Sequence, residues 1–326
     1  GVVLEGQIPS YTMPSVKNAA GYYADDDMDL VDLFIGSEGT LGIVSEVELE
    51  LIRVPSCVWG LMAFFESEGK AVAFVRKVRE AAPPHPDSHS VARLAAVEFF
   101  SGGALRLLRD AITTNAAFAS IPSPDLRHQT AIYLEIHGND EDCVGDLMMT
   151  ASEAMVECGG KEEDTWMASE SHEIQRLKDF RHAVPEAVNL VIDQRRKAEP
   201  KLVKLGTDMS VPDDHLERVL SLYNSQLIEA NLEYVIFGHI GNNHLHVNIL
   251  PRSLEEYEKG RELYLNWAHE IVELGGSISA EHGVGKLKTN LLKTMYGANG
   301  IEEMRSVKSV FDPHNRLNPG NLFERI

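Results

Sequence analysis

Between Tyr234 and Ile249 the chain carries a pattern that few folds can accommodate. Tyr234–Phe237 is apolar, and after a short interruption Leu245, Val247 and Ile249 alternate with His244, His246 and Asn248. A period of two divides a strand into an apolar face and a polar one. The intervening Ile240–Asn243 has the length and composition of a turn. With those four residues as the loop of a hairpin, His239 lies opposite His244, so His239, His244, His246 and Asn248 leave the same face. Rigid strands would then present three imidazoles and an amide together.

The 326 residues suffice for two ordinary domains, and 44% hydrophobic residues can build their cores. A formal charge of -20, from 30 Lys and Arg against 50 Asp and Glu, argues against nucleic acid or an anionic membrane surface as the main partner. A small anionic substrate would need a local positive site. Three scattered cysteines, Cys57, Cys143 and Cys158, suit a reducing compartment better than a disulfide framework. The expected location is cytoplasmic, with the mitochondrial matrix or a peripheral membrane position as alternatives. The chain opens at Gly1, in the strand-like Val2–Glu5, and upstream sequence is expected.

Residues 1–54 read as a first unit that ends in Gly36, Gly39 and Gly42 between apolar segments, then an alternating strand over Ser45–Ile52. Glycines so placed allow tight turning and close approach of backbone to another group, although an ordinary loop has equal claim. After Arg53-Val54-Pro55 the pattern changes to strands alternating with helices. Strands are expected at Cys57–Phe65, Ala131–His137 and Lys201–Val211. Helices are expected over 69–82, 140–158, 169–197 with a break or kink at Pro185, 213–230, 254–274 and 301–310. The prolines around His85 and His89 place both histidines in a surface loop.

His239, His246 and Glu281 form the sharpest candidate site, two imidazoles and a carboxylate of the kind that binds zinc, manganese or iron with positions left open. A polar strand face of satisfied histidines is the plainer alternative. His244 shares the face without an assigned role. His282, next to Glu281, is a candidate general base near neutral pH. Arg181 is a candidate clamp for a carboxylate because the two groups match as a fork, and Lys204 is a weaker one. Two His and one Glu also suit a metal-dependent hydrolase, which activates water on the same set.

Four segments in this order, Gly36–Ile43, Gly238–Asn248, Ser279–Gly285 and Asn318-Pro319-Gly320, resemble the FAD-linked 2-hydroxyacid dehydrogenases. These are vanillyl-alcohol-oxidase-type flavoproteins, among them D-lactate dehydrogenase, D-2-hydroxyglutarate dehydrogenase and the glycolate oxidase flavoprotein subunit. The resemblance covers the later part of the family's pattern, without its N-terminal glycine-rich pyrophosphate loop. It implies an α+β fold: the end of an FAD-binding domain (1–54), a ferredoxin-like cap domain with an antiparallel sheet (55–295), and a C-terminal segment (296–326) returning to the flavin side.

By position the resemblance assigns Gly36, Glu38, Gly39, Gly42, Ile43 and Asn318 to FAD and His239, His246 and Glu281 to a divalent metal. It assigns Arg181 and Asn248 to substrate, with Arg181 and His282 in catalysis; Lys204, two residues from the family's lysine position, stays a weaker substrate candidate. The implied reaction is oxidation of a D-2-hydroxy acid, such as D-lactate or glycolate, to the 2-oxo acid, with hydride passing to FAD. Electrons would leave to a cytochrome, quinone or electron-transfer flavoprotein, and a homodimer is the assembly considered. Asn242-Asn243-His244 stands where relatives often have Asp-Gly-Asn, Gly206 where a substrate lysine can stand, and Pro185 where a hydroxyl residue can. A flavin-free, non-catalytic fragment is the remaining alternative.

Overall fold

A computed structural model describes residues 4–82 and 92–324. The expected strand start at Val2 and the loop holding His85 and His89 fall wholly or partly outside these. In chain order the strands are β1 (Cys57–Phe65), β2 (Arg93–Ser101), β3 (Thr130–Gly138), β4 (Trp166–Ala168), β5 (Leu205–Gly206), β6 (Met209–Ser210), β7 (Tyr234–His239) and β8 (His244–Ile249). The α-helices are α1 (Glu68–Ala81), α2 (Gly102–Thr114), α3 (Glu141–Glu157), α4 (Ser171–Arg196), α5 (Leu216–Glu229), α6 (Leu254–Glu273) and α7 (Thr289–Phe311). None of these helices is long and apolar enough to cross a membrane.

The chain divides into two compact units that interleave along the sequence. One collects residues 1–51, 208–216 and 262–326; the other collects 52–207 and 217–261.

The larger unit is built on one antiparallel sheet with strand order β4-β1-β3-β2-β7-β8-β5. Its first four strands have the order of a split βαβ, in which β1 and β2 run parallel on either side of β3, the ferredoxin-like arrangement. Helices α1 and α3 contact each other and the sheet, as do α2 and α4. Coverage of both faces explains the sequence of β3, whose residues are almost all buried and which therefore reads as a near-continuous apolar run rather than an alternation. Side-chain caps fix the helix starts: Ser67, Ser101 and Asp140 accept from Lys70, Ala104 and Cys143 backbone N–H groups. Under α4, Phe180 packs edge-on against Phe100 (5.4 Å) and Trp166 (5.7 Å) and has no exposed surface.

In the smaller unit Ser210 and Ser277 exchange backbone hydrogen bonds of 3.2 and 3.0 Å, and Ala280 N–H donates to the Asp208 carbonyl at 2.7 Å. Buried Lys308 donates to the Thr40 and Leu317 carbonyls and to the Asp312 carboxylate, all at 2.8–2.9 Å.

The structure differs from the sequence expectations in four places. No strand forms over Ser45–Ile52: the segment is exposed, and alternation alone cannot make a strand without a neighbour to complete its ladder. The strand expected over Lys201–Val211 shrinks to β5 and β6, two residues each. Helix α4 continues through Pro185, whereas α7 is interrupted at Gly297 (φ 70°, ψ 178°), ahead of the helix expected from Ile301.

Two predictions follow from the packing of α4. Phe180→Ala removes a buried aromatic ring and is expected to lower unfolding free energy by about 3–5 kcal/mol in denaturant titrations. The second concerns Glu135. Burial pushes its carboxyl upward, but His137 (2.5 Å), Tyr133 (2.6 Å) and Lys178 (3.1 Å) all bond to it and win, holding the pKa at about 2. A depressed folded-state pKa stabilises above the unfolded value and the benefit disappears as pH falls. The stability difference between wild type and Glu135→Gln should therefore hold above pH 4.5 and shrink towards pH 2.

Candidate functional site

Strands β7 and β8 pair in the register the alternation demands, with His239 opposite His244, Phe237 opposite His246 and Val235 opposite Asn248. A 3-10 turn over Ile240–Asn242 and a left-handed Asn243 (φ 53°, ψ 32°) close the hairpin, and asparagine tolerates that conformation better than most residues. The three imidazoles converge: ring centroids lie 5.4 Å apart for His239–His244, 5.6 Å for His239–His246 and 4.3 Å for His244–His246. One ring nitrogen from each lies within 4.8 Å of the others. His244, left without a role by the sequence, is fully buried within the cluster.

The outer histidines are held by their Nδ1 atoms. His246 Nδ1 lies 3.0 Å from the Thr207 carbonyl, which can only accept, so Nδ1 carries the proton and Nε2 the lone pair. Thr207 is itself fixed to β8, accepting from Val247 N–H at its hydroxyl and donating its own N–H to the Val247 carbonyl, each at 2.9 Å. His239 Nδ1 lies 2.9 Å from Glu98 Oε1 on β2. Imidazoles with one nitrogen anchored and the other bearing a lone pair are the donors that metal sites use, and clustered nitrogens favour zinc or iron over the harder manganese. The residues present thus fit a divalent transition metal.

Arg181 on α4 places Nη2 2.7 Å from the same Glu98 oxygen. Its helix positions 181, 185 and 189 share a face, and Asn189 at the far end accepts from Lys204 Nζ at 3.0 Å. Burial pushes the Lys204 ammonium pKa down. Asn248 is buried opposite Gly206, where an added Cβ would come within 3.3 Å of Asn248 Oδ1. The larger unit therefore brings together His239, His244, His246, Glu98 and Arg181.

The remaining sequence candidates lie in the smaller unit. Asp208 organises the Ser279–Gly283 turn: its carboxylate accepts from Glu281 N–H (3.2 Å), His282 N–H (3.0 Å), Ser279 Oγ (2.6 Å) and Lys288 Nζ (2.9 Å). The Asp208 carboxylate and His282 imidazole have ligating atoms within 4.8 Å of one another. Glu281 pairs with Lys17. Glu38 plays a matching part, accepting from Val284 N–H (2.6 Å), Gly285 N–H (2.8 Å) and Asn321 Nδ2, while Asn318 Nδ2 donates to its carbonyl at 2.8 Å.

Glu38 and Asn318 thus spend their side chains inside the unit. What the 36–43 loop can offer a cofactor is backbone. Gly36 and Gly39 have positive φ (76° and 69°), and a Cβ at Gly39 would meet no atom within 4 Å. Gly42 lies against Phe34, and Ile43 is 87% exposed. An open glycine backbone beside an exposed apolar side chain fits close approach by a flat ring system such as a flavin.

The fold is also found among solved structures. A solved structure of 4-ethylphenol oxidase from Gulosibacter chungangensis matches with a TM-score of 0.56 at 14% identity, covering 85% of this chain and 55% of that one. The family model for FAD linked oxidases, C-terminal domain, matches residues 60–322, and the chain belongs to this family. Among curated relatives it is 27% identical to a probable mitochondrial D-lactate dehydrogenase of Danio rerio, over 94% of this chain and 55% of that protein. It is 28% identical to glycolate oxidase subunit GlcD of Bacillus subtilis, over 95% of this chain and 59% of that protein. The chain spans little more than half the length of these two relatives.

Sequence reading missed Glu98 and the hub role of Asp208. Both are acidic residues whose partners are far away in sequence, so no local spacing marks them. Gly238 (φ 129°) lies so close to His246 that an added Cβ would sit 2.8 Å from its Cδ2. Gly238→Ala is expected to displace that ring, seen as shifted His246 side-chain signals in ¹H–¹⁵N spectra of ¹⁵N-histidine-labelled protein.

Proposed function

We propose that this chain is part of a flavoprotein that oxidises a D-2-hydroxy acid, of the size of D-lactate or glycolate, to the 2-oxo acid. The observation that carries the reading is the anchored histidine cluster on the β7–β8 hairpin, in a chain that belongs to the FAD linked oxidases. Names of relatives supply the substrate class: D-lactate for the Danio rerio protein and glycolate for that of Bacillus subtilis.

In this reading Arg181 binds the substrate carboxylate as a guanidinium fork, and Asn248 hydrogen-bonds the substrate. His239 and His246 hold a divalent ion, with Glu281 as the carboxylate that the motif resemblance assigns to it. His282 accepts the hydroxyl proton at its imidazole. Lys204, paired with Asn189 on the Arg181 face of α4, is assigned to the far end of the substrate. When bound, FAD supplies the acceptor for the C2 hydride and the ion supplies Lewis acidity at the hydroxyl. Gly36, Gly39, Gly42 and Ile43 would receive the flavin by backbone and apolar contact, with Glu38 and Asn318 holding that loop in shape. A cationic and metal-bearing pocket reconciles an acidic chain with an acidic substrate. A cytochrome, quinone or electron-transfer flavoprotein would take the electrons onward.

The test is D-lactate- and glycolate-dependent reduction of an artificial dye by the flavin-loaded protein. Loss of a positioned base typically costs about 10²–10⁴-fold, so His282→Ala should fall in that range while retaining zinc. Equal rates in wild type and variant would remove the base assignment, and absence of turnover with every 2-hydroxy acid tried would remove the reaction.

A further inference from the structure

Glu98 is a carboxylate with 4% of its surface exposed, on a strand buried between layers of helices. The β2–β7 register, Phe99 opposite Gly238 and Phe100 opposite Phe237, continues to put Glu98 beside His239. Its Oε1 receives two groups from different elements: His239 Nδ1 from β7 at 2.9 Å and Arg181 Nη2 from α4 at 2.7 Å. A buried carboxylate needs one strong partner to stay charged; here a single oxygen serves two. We infer that Glu98 is a positioning residue that locks the His239 imidazole with its proton on Nδ1 and holds the Arg181 guanidinium at a fixed distance from that ring. The inference rests on the proposed roles of His239 as metal ligand and Arg181 as carboxylate clamp, and supplies what sets their relative position.

The chemistry follows from what each partner has left. With Nδ1–H donated to Glu98, the His239 lone pair is confined to Nε2, the nitrogen a metal would take. Arg181 has five N–H donors in a rigid plane, and the bond to Glu98 fixes the orientation of that plane for the others. Displacement of Glu98 therefore disturbs ligand and clamp together, although neither is altered covalently. Gln at position 98 keeps an acceptor oxygen of the same reach, whereas Ala removes it.

The experiment uses the 326-residue chain with ¹⁵N-labelled histidine, with zinc chloride as the probe and His239→Ala to assign the ring signals. In the metal-free wild type, long-range ¹H–¹⁵N spectra should show His239 protonated at Nδ1. Glu98→Gln should keep that form, and Glu98→Ala should lose it. Zinc affinity should fall about 10–100-fold in Glu98→Ala, the range seen when an anchoring partner of a metal-bound histidine is removed. Circular dichroism identifies a variant that fails to fold; in that event Glu98→Asp, whose shorter carboxylate cannot span both partners, takes its place with the same expectations. An unchanged His239 tautomer in the folded Ala or Asp variant overturns the inference, since a carboxylate that merely neutralised Arg181 would leave the ring as it was. Zinc binding by wild type that is equally tight in the variant overturns it as well. Failure of wild type to bind zinc at all removes the metal reading instead, and the tautomer measurement still decides Glu98.

Discussion

A charge taken out of water must be met inside the protein, and the larger unit is arranged to meet the charge on Glu98. An uncompensated buried carboxylate costs several kcal/mol, so a strand that carries one can only be used where donors reach it. Arg181 arrives from α4 and His239 from the neighbouring strand, and both end on the same oxygen. The requirement recurs one strand over: Tyr133 stands opposite Glu98 in the β2–β3 register, and it donates to Glu135, the second buried carboxylate. Arg181 and Lys178 of α4 thus each reach a buried carboxylate of the sheet, beside a core that includes Phe100, Phe180 and Met62.

How much of this was legible in the sequence depends on the range of the interaction. The β7–β8 hairpin was legible because a period of two and a four-residue turn fix both its register and the face its histidines share. The helices were largely legible for the same local reason, and the antiparallel α+β class followed from the resemblance. The strand expected at Ser45–Ile52 shows the limit, since alternation records which side chains prefer cover but not whether a neighbouring strand exists to supply it. Likewise, nothing near Arg181 announces Glu98, 83 positions earlier, and nothing near Lys204 announces Asn189 on the preceding helix. Sequence showed which groups could do chemistry and left open which of them hold one another.

The smaller unit uses carboxylates differently. Asp208 and Glu38 each collect backbone N–H groups from the Ser279–Gly285 segment, acting as acceptors for a loop that has no ladder of its own. Gly283 has φ 71° and so little room that a Cβ would fall 2.5 Å from Glu38 Oε1. The loop that carries Glu281 and His282 is therefore shaped from both ends by acids that sequence reading would assign to a ligand or to solvent.

The discontinuity of the smaller unit bears on how the protein is made. Residues 1–51 find their partners in 208–216 and 262–326, which leave the ribosome long after them. At about 5–20 residues per second, the wait is on the order of ten to forty seconds. The larger unit has all its residues by Arg261 and can close first. Throughout that interval Tyr22 lacks Phe323, whose ring it meets edge-on in the finished structure. The smaller unit is thus completed only when its last segment has been made, after the larger unit already has all of its residues.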